Sequence, residues 1–147
     1  MVTRVRSAFG SIAVIVLTLS ACGDDPMSPI TRADITGDYA ASTFTVRSGG
    51  TTIDLLALGA TLNITLRDDG TTTGRLFVPG GDEDGSDLDA NLDGTFLFDD
   101  RTDEVTFRQD ADTFVRDVTF TASRTGRAVQ LEAEETFSDV TLRVVLR

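Results

Sequence analysis

The 147-residue chain has no His, no Trp, a single Cys and three Pro, and its 13 basic residues include no Lys. Without His it cannot build a Ser/His/Asp triad or a Cys/His dyad. One Cys leaves neither an internal disulfide nor a Cys-rich zinc site. Trp, a common stacking platform for sugars, is missing, and no spacing sets two of the 24 acids face to face across a cleft. Glutamates such as Glu132, Glu134 and Glu135 read instead as a solubilising row on an outer strand face. The chain is therefore read as a non-enzyme without catalytic residues or cofactor. Base is scarce relative to acid: the net charge is −11 and the pI about 4.2. That balance repels a phosphate backbone, so nucleic acid is not expected as a partner. With 40% hydrophobic and 25% charged residues, the composition is that of one folded domain.

The one long apolar run lies at the start. Arg4 and Arg6 precede Ala8 to Leu19, whose centre is Ile12-Ala13-Val14-Ile15-Val16-Leu17. A basic head before roughly a dozen apolar residues is a secretory signal, too short for a comfortable membrane span. The run ends in Leu19-Ser20-Ala21-Cys22, and the sole cysteine sits at that point. This tetrapeptide resembles the lipobox of bacterial lipoproteins; the alternative is an ordinary signal peptide with an incidental Cys. The resemblance implies that residues 1–21 are removed and that Cys22 becomes an acylated N-terminus. Each buried methylene contributes about 0.8 kcal/mol, so two or three acyl chains would hold the protein at a membrane essentially permanently. The location implied is the bacterial cell envelope, at the periplasmic face of the inner or outer membrane or at the cell surface. Residues 22–35, with Gly23, Asp24, Asp25, Pro26, Ser28 and Pro29, lack periodicity and read as a flexible tether.

From residue 36 to 147, apolar residues recur every second position between short turns, the pattern of half-buried antiparallel strands. Ala40, Ser42, Phe44 and Val46 are expected on the first inward face, and Leu62, Ile64 and Leu66 on the second. Gly74, Leu76 and Val78 follow, then Ala90, Leu92, Gly94, Phe96 and Phe98, then Val105 and Phe107. Phe114, Val118, Phe120 and Ala122 make a sixth face, Val129, Leu131 and Ala133 a seventh, and Val140, Leu142, Val144 and Leu146 an eighth. Eight strands with tight connections and no crossover helix predict an all-β, antiparallel, up-and-down barrel. A two-sheet β-sandwich is the alternative, because both use the same alternation. Asp54-Leu55-Leu56-Ala57-Leu58-Gly59 stands outside the pattern as a helical turn, either a plug at one barrel end or a lid over a ligand.

Gly37-Asp38-Tyr39 resembles the Gly-x-Trp opening of lipocalins, with Tyr in place of Trp. The order of lipobox, acidic tether, this tripeptide, LNITLRDDGTTTGRLFVP, LDGTFLF and DEVTFRQDADTFVRD is similar to that of small bacterial lipocalin-like lipoproteins. The resemblance spans about residues 36–147 and implies a lipocalin-like barrel, though not a particular ligand. Lipocalins usually carry a late Arg against the opening aromatic. Arg143, the nearest in sequence, alternates to the outer face and is not assigned that role.

Two constellations could carry function. Arg116 is the only charged residue in register with Phe114, Val118 and Phe120. A guanidinium inside a barrel needs an anion, and a fatty-acid-like carboxylate would supply one, with Phe96, Phe114 and Phe120 around the chain. The other possibility is that the strand begins after Arg116, leaving it at a wet rim. Asp89, Asn91, Asp93 and Asp100 match the spacing of a calcium loop similar to that of dockerins. Here no helix follows; weak calcium binding by the looser Asp82 to Asp87 loop is a second possibility, and a solvated acidic hairpin loop is the competing reading. The function expected is non-catalytic binding or carriage of a small apolar or fatty-acid-like ligand by a membrane-anchored envelope lipoprotein. The alternative is a structural or protein-interaction module whose barrel is filled by its own side chains, Phe44, Phe98 and Phe107 among them. An extracellular calcium-binding domain is the lesser alternative.

Overall fold

The computed structural model describes residues 28–82 and 84–147; the signal segment and Cys22 lie outside the described residues. The strands are β1 (Gly37–Ser48), β2 (Thr51–Asp54), β3 (Thr61–Leu66), β4 (Thr71–Val78) and β5 (Leu88–Asn91). They continue with β6 (Gly94–Asp99), β7 (Glu104–Gln109), β8 (Thr119–Thr125), β9 (Ala128–Phe137) and β10 (Val140–Leu146). Eight of them form a ring of antiparallel neighbours, β1-β3-β4-β6-β7-β8-β9-β10, and β10 pairs back onto β1 through Phe44↔Val144 and Val46↔Leu142. The chain is an all-β closed antiparallel barrel, and the sandwich alternative falls because closure leaves one continuous sheet.

β2 and β5 are additions on two edges. β5 holds the upper part of β4 (Val78↔Leu88) and β6 its lower part (Thr72↔Gly94) in one continuous register. Residues 88–99 are thus a single strand interrupted at Leu92-Asp93. β2 likewise lies on the edge of β1 that β3 occupies lower down. Between β2 and β3 the expected helical turn is a 3-10 turn, Leu56–Leu58. The Asp54 carboxylate accepts the Leu56 N–H at 3.0 Å, and Gly59 closes the turn at φ 95°.

Inward alternation holds along β3, β4, β9 and β10, where Leu62, Ile64, Leu66, Leu76, Leu131 and Val144 are all buried. On β1 it breaks. Pairing with β10 shifts between Ala41↔Leu146 and Thr43↔Val145, a bulge at Ser42 whose hydroxyl donates to Val145 O at 3.3 Å. One extra residue reverses the parity, so Tyr39 and Phe44 face inward while Ala40 and Ser42, expected inside, are exposed. Gly74 and Gly94 sit where the wall is tightest: an added Cβ would lie 2.9 Å from Ile64 Cα and 2.9 Å from Gln109 Cα respectively.

The N-terminal end of β1 is closed. The packed domain starts earlier than expected, since Ile30 and Ile35, assigned to the tether, are buried under the barrel floor. A one-turn helix, α1 (Arg32–Ile35), forms there because the Asp34 carboxylate accepts from Thr31 N at 2.8 Å and Thr31 Oγ1 at 2.5 Å. Arg124 on β8 reaches Asp34 at 3.0 Å, and Arg32 lies over the Phe96 ring at 5.2 Å. The Tyr39 hydroxyl donates to Ile35 O at 3.0 Å. Among the described residues, this floor covers one end of the barrel axis and leaves the opposite end to meet solvent.

Candidate functional site

At that opposite end, four connections meet: the turn after β1 with the 3-10 segment, the loop after β4, the β7–β8 loop and the β9–β10 hairpin. Strand alternation brings Val46, Val78 and Leu142 inward at the top of the wall. The paired strand ends of β9 and β10 add Phe137 and Val140, and the connections add Leu55 and Phe114. Together with Gly81 they line a cleft of about 280 Å³, open to solvent. Among the described residues, no charged side chain lines it. Phe137 is 50% exposed, a large apolar ring left half uncovered at the rim.

Below the cleft the barrel is filled. Residual space of about 10 Å³ remains among residues including Leu62, Leu92, Phe107, Val115, Phe120 and Leu146, too little to hold more than about one water molecule. The Phe107 and Phe120 rings meet at 4.9 Å, tilted by 51°, and Phe44 meets Phe114 at 5.8 Å. Below the cleft, the buried polar side chains of Thr72 and Gln109 are satisfied locally. Thr72 Oγ1 donates to Leu92 O at 3.0 Å, and the Gln109 amide nitrogen faces Leu92 O at 2.7 Å and Asp93 O at 3.2 Å. This network ties the gap between β5 and β6 to β7.

Arg116 is not inside. β8 starts at Thr119, and residues 110–118 form a loop whose apolar, charged, apolar order only resembles strand alternation. The guanidinium is 44% exposed and pairs within its own loop, with Asp112 at 3.5 Å and Asp117 at 3.5 Å. It has no place as the counter-ion of a ligand in the barrel. Of its expected companions, only Phe114 lines the cleft; Phe96 lies buried at the closed end and Phe120 in the filled middle. Phe137, the last residue of β9, had no place among the expected faces, whereas Val140 was expected on the last inward face and Leu55 in the turn at one barrel end.

The calcium-spaced residues are not brought together. Asp89 and Asn91 lie on β5, Asp93 in the strand gap, and Asp100 past the end of β6. The nearly continuous strand from Asp89 to Asp99 spans about 30 Å or more and keeps Asp89 far from Asp100. Asp89 is already held by Arg75, with contacts of 2.7 and 2.5 Å that lower its carboxyl pKa. Among the described residues, no group of three or more acidic side chains is placed to hold a metal ion.

Set against family models, curated proteins and solved structures, the chain matches none of them.

Proposed function

We propose that this chain is a lipid-anchored lipoprotein of the bacterial envelope that binds a small apolar molecule, without catalysis, at the open end of its barrel. The observation that carries the reading is the cleft of about 280 Å³, walled by aliphatic and aromatic side chains. It approaches the size of small-ligand sites, roughly 300 Å³ and upward, and offers burial rather than directed polar contacts. A fatty-acid-like ligand would have to leave its carboxylate in water, because Arg116 points elsewhere and no cation lines the walls. The anchor rests on the sequence Leu19-Ser20-Ala21-Cys22.

A neutral naphthylamine dye titrated into the soluble domain tests the site. Binding should be micromolar, and Phe137→Asp should weaken it by about tenfold or more, a loss of about 1.4 kcal/mol. The melting temperature should barely change, since Phe137 is half exposed. Anchoring is tested by Cys22→Ser, which should abolish metabolic palmitate labelling. A parent domain that binds no apolar probe would favour the second reading, a protein-interaction module. The filled interior supports that alternative, as does Leu97, 59% exposed on the outer face of β6.

A further inference from the structure

The β7–β8 loop enters the barrel instead of passing over it. Val115 is 4% exposed and roofs the residual space above Leu62, Ile64 and Phe120, while its neighbour Phe114 faces the cleft. Two consecutive residues therefore separate an open apolar cleft from an apolar interior.

The loop is tied to the wall only at its ends. Asp110 N–H donates to Asp93 O at 2.9 Å, and Phe107 N–H donates to Val118 O at 3.0 Å. Between these points the backbone bonds are internal: Thr113 N–H to Ala111 O at 3.1 Å and Arg116 N–H to Thr113 O at 3.0 Å. The ion pairs of Arg116 are internal too, with Asp112 and Asp117. The loop can move outward as a unit without breaking a charge pair or a wall hydrogen bond between residues 111 and 117, among the described residues. Two features oppose the seated position. Thr113 Oγ1 is buried with no hydrogen-bond partner, and Asp117 is held at φ 58°. Apolar contact of Phe114 and Val115 is what keeps the segment in place, and another apolar group can replace such contact at little net change.

Resting on the mouth-binding reading, we infer that residues 110–118 are a displaceable plug, and that the tail of an unbranched alkyl ligand entering from the cleft takes the place of Val115. The occupant is alkyl because the walls beneath are Leu62, Ile64, Leu92, Phe107, Phe120 and Leu146. The one amide there, Gln109, is engaged with Leu92 O and Asp93 O. A ligand that seats only in the cleft stops gaining affinity once its chain fills that cleft; one that displaces the plug continues to gain, less the contacts of Val115 that it must break.

Straight-chain alcohols of roughly eight and roughly fourteen carbons provide the probe, since each further buried methylene tightens binding by about fourfold. The short alcohol should bind parent and Val115→Ala equally, and the long one should bind Val115→Ala about fivefold more tightly than the parent. Val115→Thr, should Val115→Ala fold poorly, is expected to give the same preference for the long chain. Hydrogen exchange supplies an independent sign: the long alcohol should speed exchange of amides 111–117, whereas a ligand lying on a fixed loop would slow it. Alcohol binding by the parent with unchanged long-chain affinity in both variants and slowed exchange would overturn the plug and leave the mouth site standing. Absence of alcohol binding by parent and variants alike would overturn both.

Discussion

Replacing Gly74 with Ala should destabilise the barrel far more than one methyl normally does. The new Cβ would stand 2.9 Å from Ile64 Cα and closer still to Asn63 O, both backbone atoms of the facing β3 strand. Carbon atoms at rest are about 3.5 to 4.0 Å apart, so β3 and β4 must part by about an ångström, and no side-chain rotation relieves it. The position is a junction, because the Gly74 carbonyl accepts from Leu92 N–H at 3.0 Å beside the β5–β6 gap. Overpacking of this kind costs about 3 kcal/mol, and the reduced freedom of Ala in the unfolded chain returns about 0.4 to 1 kcal/mol. A net loss of about 2 kcal/mol corresponds to a fall of about 8 °C in Tm for a domain of this size. Urea unfolding followed by far-UV circular dichroism measures it, with Thr73→Ala on the same strand as a control expected within about 0.5 kcal/mol of the parent. A Gly74→Ala protein as stable as the parent, with an unchanged denaturant slope, would refute the close approach of β3 and β4.

Tyr39 is the only tyrosine of the chain, so its ionisation can be followed alone by ultraviolet absorbance. Burial, and secondarily the Asp34 carboxylate, push its hydroxyl up to about 12; the folded pKa exceeds the unfolded value, so its contribution to stability is intact below about pH 10 and lost as pH rises towards 12. A titration midpoint near 10 with circular dichroism still native would contradict its placement under α1. Arg116→Leu should alter stability by at most about 0.5 kcal/mol, since the side chain is partly solvated and its two ion pairs are local. Its affinity for a fluorescent fatty acid should match the parent's, and a tenfold loss would return Arg116 to the binding site.

The ring of strands was legible because each inward position is decided by burial alone. Leu62-Ile64-Leu66 and Val140-Leu142-Val144-Leu146 read correctly for that reason, with Asn63, Thr65 and Arg143 outside. Three features escaped for distinct physical causes. The bulge at Ser42 is one residue of extra backbone fixed by partners more than a hundred positions away, so nothing local marks it. The 110–118 loop imitates period two: Phe114 and Val118 are apolar, but one belongs to a turn and the other to its exit. α1 is a single turn, too short to show helical periodicity, and its stability comes from Thr31, Asp34 and Arg124 rather than propensity. The cleft was legible as far as its strand residues Val46, Val78, Val140 and Leu142 and the loop residue Phe114 were expected inward, but nothing in period-two alternation brings Leu55 from the β2–β3 turn to the same end.

Both ends of the folded part lie on the same side of the barrel. Ile30 is packed beneath the floor, and Arg147 exchanges backbone hydrogen bonds with Ala40, near the start of β1. Both termini of the folded part therefore leave from the end opposite the apolar rim, like a stem under a cup. In the proposed anchored form, a ligand would have to cross water to reach the rim instead of sliding in from the bilayer beneath, and would be exchanged with a partner approaching from the far side. The same polarity serves the bench, since immobilisation through either end leaves the rim free to be measured.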